Sequence, residues 1–189
     1  MKKIIILLIF LINFKIFSNE LNPSEFIEHI IEKTKPAITE KNTDVLKKLM
    51  EENLDFNEIV MIIMGKNQWI KSSEKQKKKF LKELKNLMLK TYTKTVYYYI
   101  DSDITFLPIK HDNQNIESLK RIQLSTIMKK NNKNVNIIFR LIKNNDNWLI
   151  FDIMIEGVSI LKSLKTQYSE MIRIKGLDYT ILKMKENNE

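Results

Sequence analysis

The reactive groups of this chain converge on Trp148-Leu149-Ile150-Phe151-Asp152-Ile153-Met154-Ile155-Glu156-Gly157-Val158-Ser159, a strongly β-prone run that meets a helix through a Gly-Val-Ser turn. Nearly every position is apolar, as in a strand buried on both faces, yet Asp152 and Glu156 sit near its end. A carboxylate placed there needs hydrogen-bonding partners or a route to water. Two roles are open to Asp152. In an apolar pocket with a tyrosine donor nearby it could serve as a general base. The plainer role is structural, with the carboxylate paired to a lysine, an arginine or backbone amides near the start of the following helix. Other reactive types are sparse: His29 and His111 have no partner at metal-ligand spacing, and cysteine is absent. Without a Gly-rich phosphate loop or a Gly-x-Ser-x-Gly elbow, nucleotide binding and the commonest hydrolase chemistry lack support. No metal or cofactor is expected.

The elements that must position these residues change in kind along the chain. Helical signals come first and strand signals later, which predicts an α+β fold in place of alternating α/β units. Asn22-Pro23-Ser24-Glu25 combines a capping residue, a proline at the first helical position and an acid in the first turn, with Phe26, Ile27, Ile30 and Ile31 behind it at helical spacing. Pro36 is expected to kink or end that helix. A short amphipathic segment around Val45, Leu46, Leu49 and Met50 follows. Asp55 with Glu58 opens a helix containing Phe56, Ile59, Val60 and Ile63, and Gly65 is its expected stop. Ser73 and Gln76 have the spacing of a capping box, and Phe80, Leu81, Leu84, Leu87, Met88, Tyr92, Val96 and Tyr99 trace a stripe along a long helix.

Beyond Asp101 the period becomes alternating. Ile104 and Phe106 begin it, and Pro108 marks a strand end or edge. Ile122, Leu124, Thr126 and Met128 point one way while Arg121, Gln123 and Ser125 point the other, so one face is wet. The clusters Asn131-Asn132-Lys133-Asn134 and Asn144-Asn145-Asp146-Asn147 form turns between successive strands. An antiparallel meander of about four strands results, its inner face holding Val135, Ile137, Phe139 and Leu141 and covered by the helices.

Met1-Lys2-Lys3, the unbroken apolar run Ile4 to Ile12, and Ser18 before Asn19-Glu20 read as a secretory signal peptide, residues 1–18, cleaved after Ser18. Asn13 and Lys15 interrupt the run short of the roughly 20 residues that span a bilayer, so an uncleaved anchor is the less favoured reading. Residues 19–189 then form one domain, soluble after cleavage. Loss of Lys2, Lys3 and Lys15 takes the formal charge from +9 to +6. That charge favours acidic partners or anionic membranes, although lysines also serve simply for solubility. Nucleic acid is not expected as a partner of an exported protein.

Several pieces, in collinear order over most of the chain after the signal, resemble the MlaC family of periplasmic phospholipid-binding proteins, the toluene-tolerance family. They are Leu54-Asp55-Phe56-Asn57-Glu58-Ile59, Gly65 followed by Trp69, the Ser73 to Tyr92 helix with Phe80 inside it, the Trp148 to Ser159 segment, Gln167-Tyr168, and Lys175-Gly176-Leu177-Asp178. The resemblance implies a nuclear-transport-factor-like α+β fold, a curved antiparallel sheet of about four strands packed with several helices around an internal apolar pocket. It implies a carrier that holds a phospholipid's acyl chains. Traffic would run between an MlaA-type outer-membrane lipoprotein and an MlaFEDB-type inner-membrane transporter, the ABC-transporter-associated system that maintains outer-membrane lipid asymmetry. Where the family commonly has Asn-Tyr-Arg ahead of the Gln-aromatic pair, this chain has Ser163-Leu164-Lys165, which keeps one positive charge and loses the forked guanidinium.

Stripes and faces then suggest the pocket residues: Ile63, Phe80, Leu84, Leu87, Met88, Tyr92 and Tyr99 from the helices, Val135, Ile137, Phe139, Trp148 and Ile150 from the strands, and Val158, Leu161 and Tyr168 beyond them. Lys75, Lys78, Lys79 and Lys82 fall away from the long helix's apolar stripe; they are a solvated face or, on the functional reading, the partner-docking surface. A monomer is expected. The competing readings are a small-molecule enzyme using Asp152 on the same cone-shaped fold, and a periplasmic chaperone that shields apolar peptides.

Overall fold

Most helix starts follow a capping side chain. The computed structural model describes residues 22–109, 119–145 and 147–188; the expected signal segment and His111 lie outside the described residues. Asn22 caps α1 (Pro23–Thr39): its Oδ1 accepts from the Ser24 and Glu25 N–H groups at 3.0 Å, and the Glu25 carboxylate accepts from the Asn22 N–H at 3.1 Å. Pro36 does not end α1, which runs on to Thr39, because a missing N–H so near the terminus removes a single intrahelical bond. Asn42 caps α2 (Thr43–Asn53), and Asp55 caps α3 (Phe56–Met64) by accepting the Glu58 N–H at 2.9 Å. Gly65, at φ 77°, ends α3 and starts α4 (Lys66–Lys71) in a conformation that side chains disfavour. The Ser73 and Gln76 capping box opens α5 (Glu74–Tyr99), the longest helix.

The meander follows as β1 (Asp103–Phe106), β2 (Arg121–Lys130), β3 (Lys133–Asn144), β4 (Asn147–Ile155) and β5 (Val158–Ser159), antiparallel and in the order β1-β2-β3-β4-β5. One more strand is present than the sequence suggested. β5 is only two residues long, and its pairing with β4 is made by the tight turn at Glu156 and Gly157, both at positive φ. A bulge interrupts the β3–β4 ladder: Leu141 faces Ile150 but Arg140 faces Asp152, leaving Phe151 as the extra residue. Two helices finish the chain, α6 (Ile160–Lys175) and α7 (Leu177–Asn188), separated by Gly176 at φ 85°.

Apolar burial divides into two clusters. One lies among α3, α5, α6 and α7 and includes Phe56, Ile63, Phe80, Leu84, Tyr168 and Met184. The other lies on the inner face of the sheet, where Ile122, Leu124, Phe139, Leu141, Trp148 and Ile150 pack against Phe26 and Ile27 of α1. The lengths of α5 and α7 decide what lies between them. α5 has 26 residues and α7 has 12, about 39 Å against 18 Å at the usual rise. Gln76 meets Asp178 and Lys90 meets the last carbonyls of α7, so α7 covers only the N-terminal part of α5. The rest of α5 overhangs the sheet.

Candidate functional site

Under that overhang is a cavity of about 270 Å³. Ile30, Ile31, Thr34 and Ile38 of α1, Leu46, Leu49, Met50 and Asn53 of α2, and the Met88 to Ile100 stretch of α5 form its helical walls. The inner sheet face supplies Ile104, Met128, Ile137, Phe139, Ile150, Ile153 and Ile155, and Ile160, Leu161 and Leu164 close one side at the start of α6. The wall is overwhelmingly aliphatic and aromatic. No α2 side chain is fully buried although one face of that helix is apolar. Its half-buried Leu46, Leu49 and Met50 line the cavity, and Met50 also packs against the helical core. This space can hold apolar matter displaced from water, and it offers little to bind a charge.

Asp152 also borders the cavity, with no solvent exposure of its side chain. Its Oδ2 accepts from the Ser159 hydroxyl at 2.7 Å and from Arg140 Nη1 at 3.3 Å, and its Oδ1 accepts from the Leu161 N–H at 2.9 Å. Ser159 is in turn the N-cap of α6, accepting the Lys162 N–H at 2.9 Å. The acid is therefore a joint between strand and helix, held by an arginine, a hydroxyl and a first-turn amide, which is the structural role read from the sequence. Both of its oxygens accept from donors that tie β4 to β3 and to the start of α6. Glu156 takes the other solution: it is exposed at the β4–β5 turn and accepts from the Asn136 N–H.

With Thr34, Asn53, Thr93, Thr95 and Tyr99, Tyr92 is one of the polar residues of the helical wall. Burial pushes its hydroxyl above the usual tyrosine pKa, and proximity to Tyr168 and then to Asp152 adds to the rise. Burial alone raises Tyr168, whose hydroxyl has no hydrogen-bond partner among the described residues. Both phenols are neutral at physiological pH. Among the described residues no three His, Cys, Asp or Glu side chains are grouped to hold a metal ion.

Of the suggested pocket residues, the fold brings Met88, Tyr92, Tyr99, Ile137, Phe139, Ile150 and Leu161 to the cavity wall. Ile63, Phe80, Leu84 and Tyr168 instead fill the helical core, with Leu87 packed against it. Trp148 is buried in the sheet core, Val135 lies against that core, and Val158 is 63% exposed on β5. The helical five stand away from the cavity because the core of α3, α6 and α7 encloses them, Val158 because β5 leaves it exposed, and Trp148 and Val135 because they lie in the sheet cluster outside the cavity lining. Sequence reasoning missed the α1 and α2 walls. The signal was present in the Ile30-Ile31 pair and the Leu46, Leu49, Met50 stripe, but an apolar stripe facing a void reads the same as one facing a core. Lys75, Lys78, Lys79 and Lys82 are all exposed along α5.

A curved meander roofed by helices over an apolar cavity defines an α+β protein built around a pocket. The chain belongs to the MlaC protein family, whose family model matches residues 24–186. Its fold is similar to that of a phospholipid-binding protein from Ralstonia solanacearum solved in complex with a phospholipid. The TM-score is 0.74 at 18% sequence identity, over 87% of this chain and 93% of that one. No curated protein matches the chain. Among the described residues no helix is long and apolar enough to cross a membrane.

Proposed function

We propose that this chain is a periplasmic phospholipid carrier that holds acyl chains in the cavity beneath α5. The observation that carries the reading is the aliphatic wall over which α2 lies with no buried side chain of its own. Two acyl chains hold about 30 methylenes, worth more than 20 kcal/mol in gross transfer free energy at about 0.8 kcal/mol each, so a lipid does not cross water unaided. A carrier needs only a lining that resembles the bilayer interior, since exchange depends on the difference between the two hosts. At about 270 Å³ the cavity lies below the usual 300–1,000 Å³ of ligand pockets, so uptake of a whole lipid moves α1 and α2 outward. Family membership and the lipid-bound neighbour support a binding and transport role over an enzymatic one. The headgroup stays in water, and headgroup selectivity is weak.

The same reading supplies the setting: export by the 1–18 segment, a soluble monomer, and exchange with an MlaA-type lipoprotein and an MlaFEDB-type transporter in maintaining outer-membrane asymmetry. The exposed Lys75, Lys78, Lys79 and Lys82 are its docking face for those partners. Replacing Lys78, Lys79 and Lys82 by Glu is expected to weaken docking without emptying the cavity; unchanged docking would leave them a solvated face.

Native mass spectrometry of protein purified from a periplasm without detergent, with extraction of bound lipid, tests the carrier directly. Stoichiometric phospholipid is expected, and Thr34→Phe, which fills the cavity from α1, is expected to remove it while the fold persists. A folded protein that arrives empty and takes up no phospholipid from vesicles would sink the reading. Co-purified peptides in place of lipid would point to the chaperone.

A further inference from the structure

The outer face of the sheet carries a second concavity, about 480 Å³, lined by Leu107, Pro108, Gln123, Ser125 and two arginines around Phe151. The Cζ atoms of Arg121 and Arg140 each lie 5.0 Å from the Phe151 ring centroid, so the two guanidiniums are held within twice that distance of each other. The strand register explains the pairing. Arg140 is directly opposite Gln123, and Arg121 is two residues before Gln123, which makes the arginines diagonal neighbours across β2 and β3. The bulge adds the ring: Phe151 is the extra residue of β4 beside Arg140.

Two like charges held this close repel unless each is compensated. Glu58 takes Arg121 Nη2 at 2.8 Å and the buried Asp152 takes Arg140 Nη1 at 3.3 Å. Each of these bonds engages a single nitrogen of a fork that carries five donors. The arginine side chains remain 50% and 36% exposed, so N–H donors are still open to the depression. An aromatic ring and two carboxylates thus fix two half-exposed guanidiniums in place, and little side-chain entropy is left to lose on binding an anion.

We propose that this depression is a docking site for an extended acidic segment of a protein partner, with carboxylates at positions i and i+2 meeting Arg121 and Arg140. Successive same-face side chains of an extended chain are about 6.6–6.8 Å apart, a spacing that suits diagonal neighbours in a sheet. Gln123, opposite Arg140, and Ser125, two residues further along β2, supply neutral hydrogen-bonding groups beside the two charges. The site is on the sheet, distinct from the lysine face of α5, and it shares Phe151, and the Asp152 that holds Arg140, with the cavity wall.

The test uses the whole mature chain, isotope-labelled, titrated with the peptides Ser-Glu-Ser-Glu-Ser and Ser-Glu-Glu-Ser-Ser while amide and arginine side-chain resonances are followed. The i,i+2 peptide is expected to shift Gln123, Ser125, Arg121 and Arg140 saturably and to bind more tightly than its isomer. Arg121→Gln is expected to weaken it about tenfold, the loss of one charge-assisted contact. Arg140→Lys, which keeps the charge beside Asp152 but not the fork, is also expected to weaken it. Arg173→Gln, on α6, controls for net charge. Equal binding of the two peptides, equal losses in the control, or shifts confined to α5 would overturn the proposal. So would vesicles of anionic lipid that move these resonances when the peptide does not, which would make the surface a membrane contact. Lipid content measured on the same samples reports separately on the carrier reading.

Discussion

The two halves of α5 are built from similar residues and do opposite things. Phe80 and Leu84 in the first half have no exposure and are enclosed by α3, α6 and α7. Tyr92, Val96 and Tyr99 in the second half continue the same stripe, yet they face the cavity and remain partly exposed. The difference lies in what stands opposite. α7 ends where Lys90 meets its terminal carbonyls, and past that point the facing elements are the curved sheet and the loosely packed α2. The cavity opens where α7 no longer lies beside α5.

The largest effect follows from that contrast. Leu84→Ala in the closed half should cost about 3 kcal/mol, within the range for a fully buried leucine, and lower the Tm by about 10 °C. Lipid content of the folded fraction should not change. Ile137→Ala, buried in the sheet core and on the cavity wall, should cost less, about 2 kcal/mol at the low end for a buried isoleucine, because a side chain bordering a void has fewer partner atoms to lose. It should lower lipid occupancy. Thermal melts with parallel lipid extraction check both, and equal stability losses at the two sites would erase the distinction between solid and hollow regions.

Next in size is Asp152, which sits where the two regions join. Asp152→Ala strands the Leu161 N–H and leaves Arg140 without its buried partner; Arg140 is partly exposed and recovers some of that loss from water. A cost of about 2 kcal/mol is expected, measured by denaturant unfolding. Lipid occupancy of the folded protein should persist. Loss of lipid from a protein of undiminished stability would show instead that the carboxylate acts on the ligand.

These contrasts also mark how far the sequence was legible. Local chemistry was readable: Asn22, Asp55 and Ser73 cap helices as their spacing predicts, Gly65 and Gly176 end them, and Asn131, Asn132 and Asn145, all at positive φ, turn the strands. Asp152 was readable too, since a charge in an apolar strand has few ways to be satisfied. The identity of the wall was not. Phe80 and Tyr99 belong to one stripe, and only what packs opposite, α3, α6 and α7 against the first and the cavity against the second, separates core from wall. The bulge at Phe151 was equally hidden, because a ladder's register belongs to two strands at once and neither sequence announces it.

The smallest effect is electrostatic and divides the two regions most finely. In the fold Tyr92 and Tyr168 both titrate above the ordinary tyrosine value, so the unfolded chain, with a phenol pKa of about 10, releases those protons first as pH rises. Stability should therefore be unaffected by these groups below about pH 10 and decline above it, and replacing either tyrosine by Phe should soften the decline. The two should part company on ligand loading. Tyr92 borders the cavity, so acyl chains against its ring remove remaining water and raise its titration further; Tyr168 is already enclosed and should not respond. Ultraviolet difference titrations of Tyr92→Phe and Tyr168→Phe, each with and without phospholipid, read the two phenols separately. A lipid-dependent shift in the Tyr168 phenol equal to that of Tyr92 would mean that loading reorganises the solid core as well, and that the boundary at the end of α7 is not a wall.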